Sequence, residues 1–162
     1  MEQAVIAIGS NLGDRLKMVQ KAGEFLTHIS ESKPIKSSIW ESEPIGGAKY
    51  TFYNAVALIT ADLSPGDLLR KLKDFEMVCG RKSDHARWSP RILDLDIITY
   101  GNLVIEMDNL IIPHPEYRKR LFVLYPIGEI CPDWVDHTTS ESLGTIVKKA
   151  PGMEIKKTEL KW

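Results

Sequence analysis

The chain is predicted to fold as an α+β sandwich, a mainly antiparallel sheet with helices packed on it. Two observations lead there. Apolar segments follow the order strand, helix, strand, strand, helix, strand, punctuated by Gly, Pro and Asn. The 162 residues, 43% hydrophobic and 27% charged, suffice for one domain with its own core. That order is the ferredoxin-like arrangement, and residues 1–162 are read as a single domain. The arrangement hosts many activities, so function must come from particular residues.

Ala4–Ile8 reads as a buried strand ending at Gly9-Ser10-Asn11. Leu12, Leu16, Val19, Gly23, Leu26 and Ile29 recur at helical spacing, with Asn11 as the expected cap. Pro34–Trp40 alternates as a strand, Glu41–Gly47 reads as a loop, and Asn54–Ala61 is a third strand. Ser64-Pro65-Gly66-Asp67 opens a second helix with a cap, a proline at the first helical position and an acid in the first turn. Its apolar side is read as Leu68, Leu69, Leu72, Phe75, Met77 and Val78. A strand carrying Asp94 and Asp96 follows, then Gly101-Asn102 as a hairpin signal into Leu103–Ile105. Pro113-His114-Pro115 can continue no regular element. Arg120–Ile130 reads as a helix broken at Pro126, and a helix near Ser142–Lys149 and a terminal strand complete the chain.

Bulk properties exclude several classes. A net charge of -1 is unlike the basic footprint of a nucleic-acid binder. Two cysteines, Cys79 and Cys131, fit a reducing cytoplasm better than a disulfide framework. No apolar run has the length of a membrane span. A cytoplasmic monomer is expected, with small-molecule substrates and neither nucleic acid nor membrane as partner.

The chemistry concentrates between Gly80 and Gly101. Arg81, Arg87 and Arg91 lead into Leu93-Asp94-Leu95-Asp96-Ile97. Strand alternation puts Asp94 and Asp96 on one face, roughly 7 Å apart, with Leu93, Leu95 and Ile97 turned to a core. Two hard carboxylates suit Mg²⁺, which completes its shell with water and phosphate oxygens, and guanidinium forks suit phosphates. The pattern points to metal-assisted phosphoryl chemistry. His114, held between prolines, is either structural or a donor to a phosphate or leaving-group oxygen. Glu76 lies one turn from the same place. Phe52, Asn54, Trp88 and Phe122 supply aromatic faces and an amide of the kind a flat heterocycle needs. Gly9-Ser10-Asn11-Leu12-Gly13-Asp14 sits where a phosphate loop would, but lacks the Lys-Ser/Thr of a Walker loop.

These segments resemble the bacterial 6-hydroxymethyl-7,8-dihydropterin pyrophosphokinases of folate biosynthesis. The likeness covers Ala7–Gly13, Ser42-Glu43-Pro44 and Tyr53–Val56. It is densest from Gly80-Arg81 through Arg87-Trp88-Ser89-Pro90-Arg91-Ile92-Leu93-Asp94-Leu95-Asp96-Ile97, and extends into Pro113–Pro115 and Arg120–Leu124. The resemblance implies Mg-dependent transfer of pyrophosphate from ATP to the pterin hydroxymethyl group, releasing AMP. It implies that Asp94 and Asp96 hold two Mg²⁺, with Arg81 and Arg91 joining them as catalytic residues. Glu76, Arg81, Trp88, Arg91, Ile97 and His114 would contact ATP. Ser42, Glu43, Ile45, Phe52, Asn54, Trp88, Asp94 and Phe122 would hold the pterin. The segments Gly46–Tyr50 and Arg81–Ser89 are expected to cover the site.

Two other classes compete. A non-catalytic ferredoxin-like module binding RNA or a small ligand predicts a basic face, which the Asp94/Asp96 pair opposes. A different nucleotidyl or kinase-type transferase would release other products, so AMP rather than ADP separates it.

Overall fold

The computed structural model describes residues 1–45, 49–80 and 92–162. In chain order the elements are β1 (Glu2–Ser10), α1 (Arg15–Ile29), β2 (Ile35–Lys36), β3 (Trp40–Ser42), β4 (Phe52–Ala61), α2 (Pro65–Val78), β5 (Asp94–Tyr100), β6 (Ile105–Met107), β7 (Leu110–Ile112), α3 (Leu121–Ile130), α4 (Leu143–Lys149) and β8 (Ile155–Lys157). A short 3-10 turn, Tyr117–Lys119, precedes α3. The main sheet runs β5-β1-β4-β3-β8, with β2 also pairing β4, and every pairing is antiparallel. This is the expected α+β sandwich.

Both faces of the sheet are covered. On one, Val19, Ala22 and Leu26 of α1 and Leu68 and Leu72 of α2 bury against Ile6, Ile8, Ala57 and Leu95. Phe25 and Phe75 join the two helices in a stack with centroids 4.1 Å apart. On the other face, Leu124 and Ile127 of α3 and Ile146 of α4 bury against Val5, Val56 and Ile98. A full side chain such as Leu gains on the order of 1.5–3 kcal/mol from such burial, so each face holds its helices firmly. A bulge in β5 shapes the edge. Ile6 pairs Ile97 but Val5 pairs Thr99, which leaves Ile98 as the extra residue. Without it Tyr100 would face the same side as Asp94 and Asp96; instead its ring joins the α1/α2 core.

Several local expectations are corrected. The α1 cap is Asp14, whose carboxylate accepts from Lys17 N at 3.0 Å, and not Asn11. Gly13 just before it takes φ +71°, so the chain turns there rather than entering a helix. Strand β1 runs on through Gly9 and Ser10 because Asn54 and Tyr53 pair with them. Glu41 and Ser42 belong to β3, held between β4 and β8. Met77 and Val78 are exposed, whereas Glu76 is fully buried. The strand after Gly101 pairs with β7 and not with β5. Helix α3 continues through Pro126, which is buried in the second core; that packing offsets the backbone bond the ring removes.

Candidate active site

The site lies on the α3 side of the sheet, where β1 ends. Directly paired residues of antiparallel strands share a face. Register sets Asp94 beside Gly9, Gly9 beside Asn54, and Asn54 beside Trp40. One row inward Asp96 lies beside Ala7, and one row outward Phe52 lies beside Ser42. Gly9 therefore leaves a bare floor between a carboxylate and an amide. A Cβ there would stand 3.7 Å from Asn54 Oδ1 and 4.0 Å from the Phe52 ring.

Asn54 is buried, and its Nδ2 donates to Ser42 Oγ at 2.8 Å. That bond turns Oδ1 toward the space above Gly9, an acceptor aimed at whatever lies on the floor. A cleft next to Ser42 is lined by Glu43, Pro44 and Ile45 together with Arg120 and Phe122. The Arg120 guanidinium sits 5.7 Å from the Phe122 ring centroid.

Asp94 and Asp96 both face the Lys73 ammonium of α2, whose Nζ is 3.9 Å from Asp94 Oδ1 and 3.6 Å from Asp96 Oδ1. Burial and the neighbouring Asp94 charge push the Asp96 carboxyl up, against the pull of Lys73, His114 and Arg120. Burial also works against the Lys73 ammonium, yet Asp96, Asp94 and Glu76 together raise its pKa. Strand β5 is the outer strand, and α2 side chains satisfy its edge: Glu76 Oε1 accepts from Leu95 N at 2.6 Å, and Lys73 Nζ donates to Leu95 O at 2.8 Å. Lys73 and Glu76 are themselves paired at 2.9 Å.

His114 follows a cis Ile112–Pro113 bond, and its N–H donates to Ile98 O at 2.8 Å. Its Nδ1 accepts from Glu116 N at 3.1 Å, so the neutral ring carries its proton on Nε2, which faces Asp96 Oδ2 at 3.9 Å. Burial lowers the imidazole pKa, Asp96 pulls it back and Arg120 adds to the fall. At neutral pH the ring presents an N–H donor to the site.

Of the residues expected from sequence, Ser42, Phe52, Asn54, Asp94, Asp96 and His114 come together, with Glu43, Ile45 and Phe122 in the adjoining cleft. Glu76 stands behind β5 as a buried partner of its backbone. The Ile97 side chain is buried in the α1/α2 core, so only its backbone is available to a ligand. Arg81, Trp88 and Arg91 lie outside the described residues, as do residues 46–48 of the first expected covering segment and all of the second. Three contributors were not foreseen: Gly9 as floor, Lys73 as the cation, and Arg120 beside Phe122. The basic run Arg118-Lys119-Arg120, four to six residues after His114, was the available signal for the last. Lys73 had one only in its spacing of three from Glu76.

Among the described residues no group of three or more His, Cys, Asp or Glu could form a metal cage. Two carboxylates on one strand face that already converge on a positive charge fit Mg²⁺, which keeps several water or phosphate oxygens.

Residues 5–132 match the family of 7,8-dihydro-6-hydroxymethylpterin-pyrophosphokinase, about four-fifths of the chain. The chain belongs to this family. Among its relatives are the 2-amino-4-hydroxy-6-hydroxymethyldihydropteridine pyrophosphokinases of Synechocystis and Bacillus subtilis. The first is 34% identical over 94% of this chain and 83% of that protein, the second 39% identical over 85% and 83%. The structure of the Plasmodium falciparum HPPK-DHPS chain with pteroate superposes with a TM-score of 0.70 at 15% identity, covering 91% of this chain. At that identity it shows the pyrophosphokinase fold alone; this chain spans 42% of the longer one's length. No helix among the described residues is long and apolar enough to cross a membrane.

Proposed function

We propose that the row from Asp94 to Asn54 is where this pyrophosphokinase of folate biosynthesis brings its two substrates together. The pterin lies on the Gly9 floor, and the terminal pyrophosphoryl group of ATP lies over Asp94 and Asp96. The observation that carries this reading is the juxtaposition on one sheet face of a convergent carboxylate pair and a buried amide, with only a glycine between them.

Each neighbour then has a task. Asn54 Oδ1 accepts from an N–H on the heterocycle edge, and Ser42 holds that amide in place. Phe52 and Phe122 flank the ring, and Glu43 and Ile45 close its outer side. When bound, Mg²⁺, with two ions proposed, draws charge from the phosphates and lowers the pKa of the attacking hydroxyl; Asp94 and Asp96 would hold it. His114 donates through Nε2–H to a phosphate oxygen, and Arg120 adds a fixed positive charge beside it. Arg81, Trp88 and Arg91 are assigned to the nucleotide on the family resemblance. Glu76 acts indirectly, by holding the Leu95 backbone against α2, while Ile97 is assigned to ATP, through its backbone, on the family resemblance. A loose phosphoryl-type transition state needs such positioning and charge more than a covalent intermediate.

Residues 1–162 are read as one domain acting as a monomer in the cytoplasm, a placement supported by the free thiols of Cys79 and Cys131. The pterin assignment is tested by Asn54→Ala. Losing a hydrogen bond inside a buried site costs about 1–3 kcal/mol, so pterin affinity should fall roughly ten- to a hundredfold. Nucleotide binding should stay unchanged. Fluorescence titration with a pterin, with a non-hydrolysable ATP analogue present, measures it; an unchanged pterin affinity would remove Asn54 from the pocket.

A further inference from the structure

We propose that Lys73 sets the order in which metal reaches the site: its fixed ammonium excludes the free divalent cation from Asp94 and Asp96 until nucleotide phosphates arrive with it. The inference rests on the proposal that these two aspartates hold the metal.

The geometry assigns Lys73 this part. Its Nζ has two short contacts, 2.8 Å to Leu95 O and 2.9 Å to Glu76 Oε1, and two longer ones, 3.6 Å to Asp96 and 3.9 Å to Asp94. The short pair fixes the ammonium whether or not the aspartates are otherwise engaged. The long pair is electrostatic, at a distance where the ammonium partly neutralises both carboxylates. Departure from this position is costly. Withdrawing Lys73 would break both short bonds at once, to Leu95 O and to the buried Glu76 carboxylate. Lys73 therefore stays when metal binds.

A divalent ion taken up by Asp94 and Asp96 must then sit within several ångströms of a fixed positive charge. Two unit charges 4 Å apart interact by about 1 kcal/mol even in bulk water, and a divalent ion doubles that. The penalty falls on free metal most heavily. Metal arriving on a triphosphate brings negative charge that offsets the ammonium. Lys73 thus lowers affinity for the bare ion while leaving the metal–nucleotide complex favoured, so the site charges in one step.

The test is Mn²⁺ binding to the full chain, followed by electron paramagnetic resonance with and without a non-hydrolysable ATP analogue. Lys73→Gln keeps a donor for Glu76 or Leu95 O without the charge, and Lys73→Arg keeps the charge with a different shape. Without nucleotide, Lys73→Gln should bind Mn²⁺ about tenfold more tightly than the parent, and Lys73→Arg should match the parent. With nucleotide, the gap between Lys73→Gln and the parent should shrink. Thermal melting confirms that each variant is folded. Nucleotide-free affinity in Lys73→Gln that equals or falls below the parent's overturns the role of Lys73. A separate arm guards the underlying assignment: if Asp96→Ala binds nucleotide-dependent Mn²⁺ as the parent does, the aspartates are not the metal ligands.

Discussion

Replacing Asp96 by Ala should lower turnover by about a thousandfold or more, with Asp94→Ala comparable. A loss of that size corresponds to roughly 4 kcal/mol of transition-state stabilisation, as expected when a metal-holding carboxylate is removed. The variants should remain folded. Burial and the Asp94 charge push the Asp96 carboxyl up, so ionising this group costs the folded state. Removing it relieves repulsion, and Lys73 keeps its bonds to Glu76 and Leu95 O. Steady-state assays beside thermal melts distinguish lost chemistry from lost structure. Activity within about tenfold of the parent in either variant would mean that the pair does not carry the reaction.

The second large effect concerns stability, away from the carboxylate pair. Asp136 is buried and accepts from the Tyr117 hydroxyl, from Arg118 Nε at 2.6 Å, and from Thr138 N and Oγ1 at 2.8 and 2.7 Å. It thereby anchors the turn that lies between His114 and Arg120. Asp136→Ala leaves a phenol and a guanidinium without their acceptor, and should cost about 3–5 kcal/mol. The pH dependence follows the same bonds. Against the cost of burial, hydrogen bonds from Arg118 and Tyr117 hold the Asp136 carboxyl well below the usual range. A depressed folded pKa contributes stability that is present above the unfolded value, about pH 4, and is lost as pH falls below it. The parent should therefore lose this contribution between about pH 4 and the depressed folded value. Asp136→Asn should begin less stable and show a flatter acid limb. Urea unfolding at neutral pH and near pH 3 measures both, and parallel acid limbs in the two proteins would contradict the assignment.

Much of this was legible in the sequence because it rests on short-range rules. Alternation placed Asp94 and Asp96 opposite Leu93, Leu95 and Ile97, as found, and Ser64-Pro65 marked the start of α2. What was not legible depends on pairing between distant segments. That Gly9 lies between Asp94 and Asn54 is a matter of register across three strands, and local pattern gives no register. The burial of Glu76 was not foreseen because its helix was read without knowing that β5 would present a free edge to it. Pro126 looked like a break because helix propensity was weighed without the core that buries it. Lys73 could not be recognised as a site residue until α2 and β5 were side by side.

On the proposed reading, this sheet face transfers a pyrophosphoryl group, not a single phosphoryl group, to the pterin. Incubating the protein with ATP labelled on the β-phosphate, Mg²⁺ and 6-hydroxymethyl-7,8-dihydropterin, then separating products, tests it directly. The predicted result is unlabelled AMP and label on the pterin, in equal amounts. Labelled ADP with an unlabelled pterin monophosphate would contradict the account.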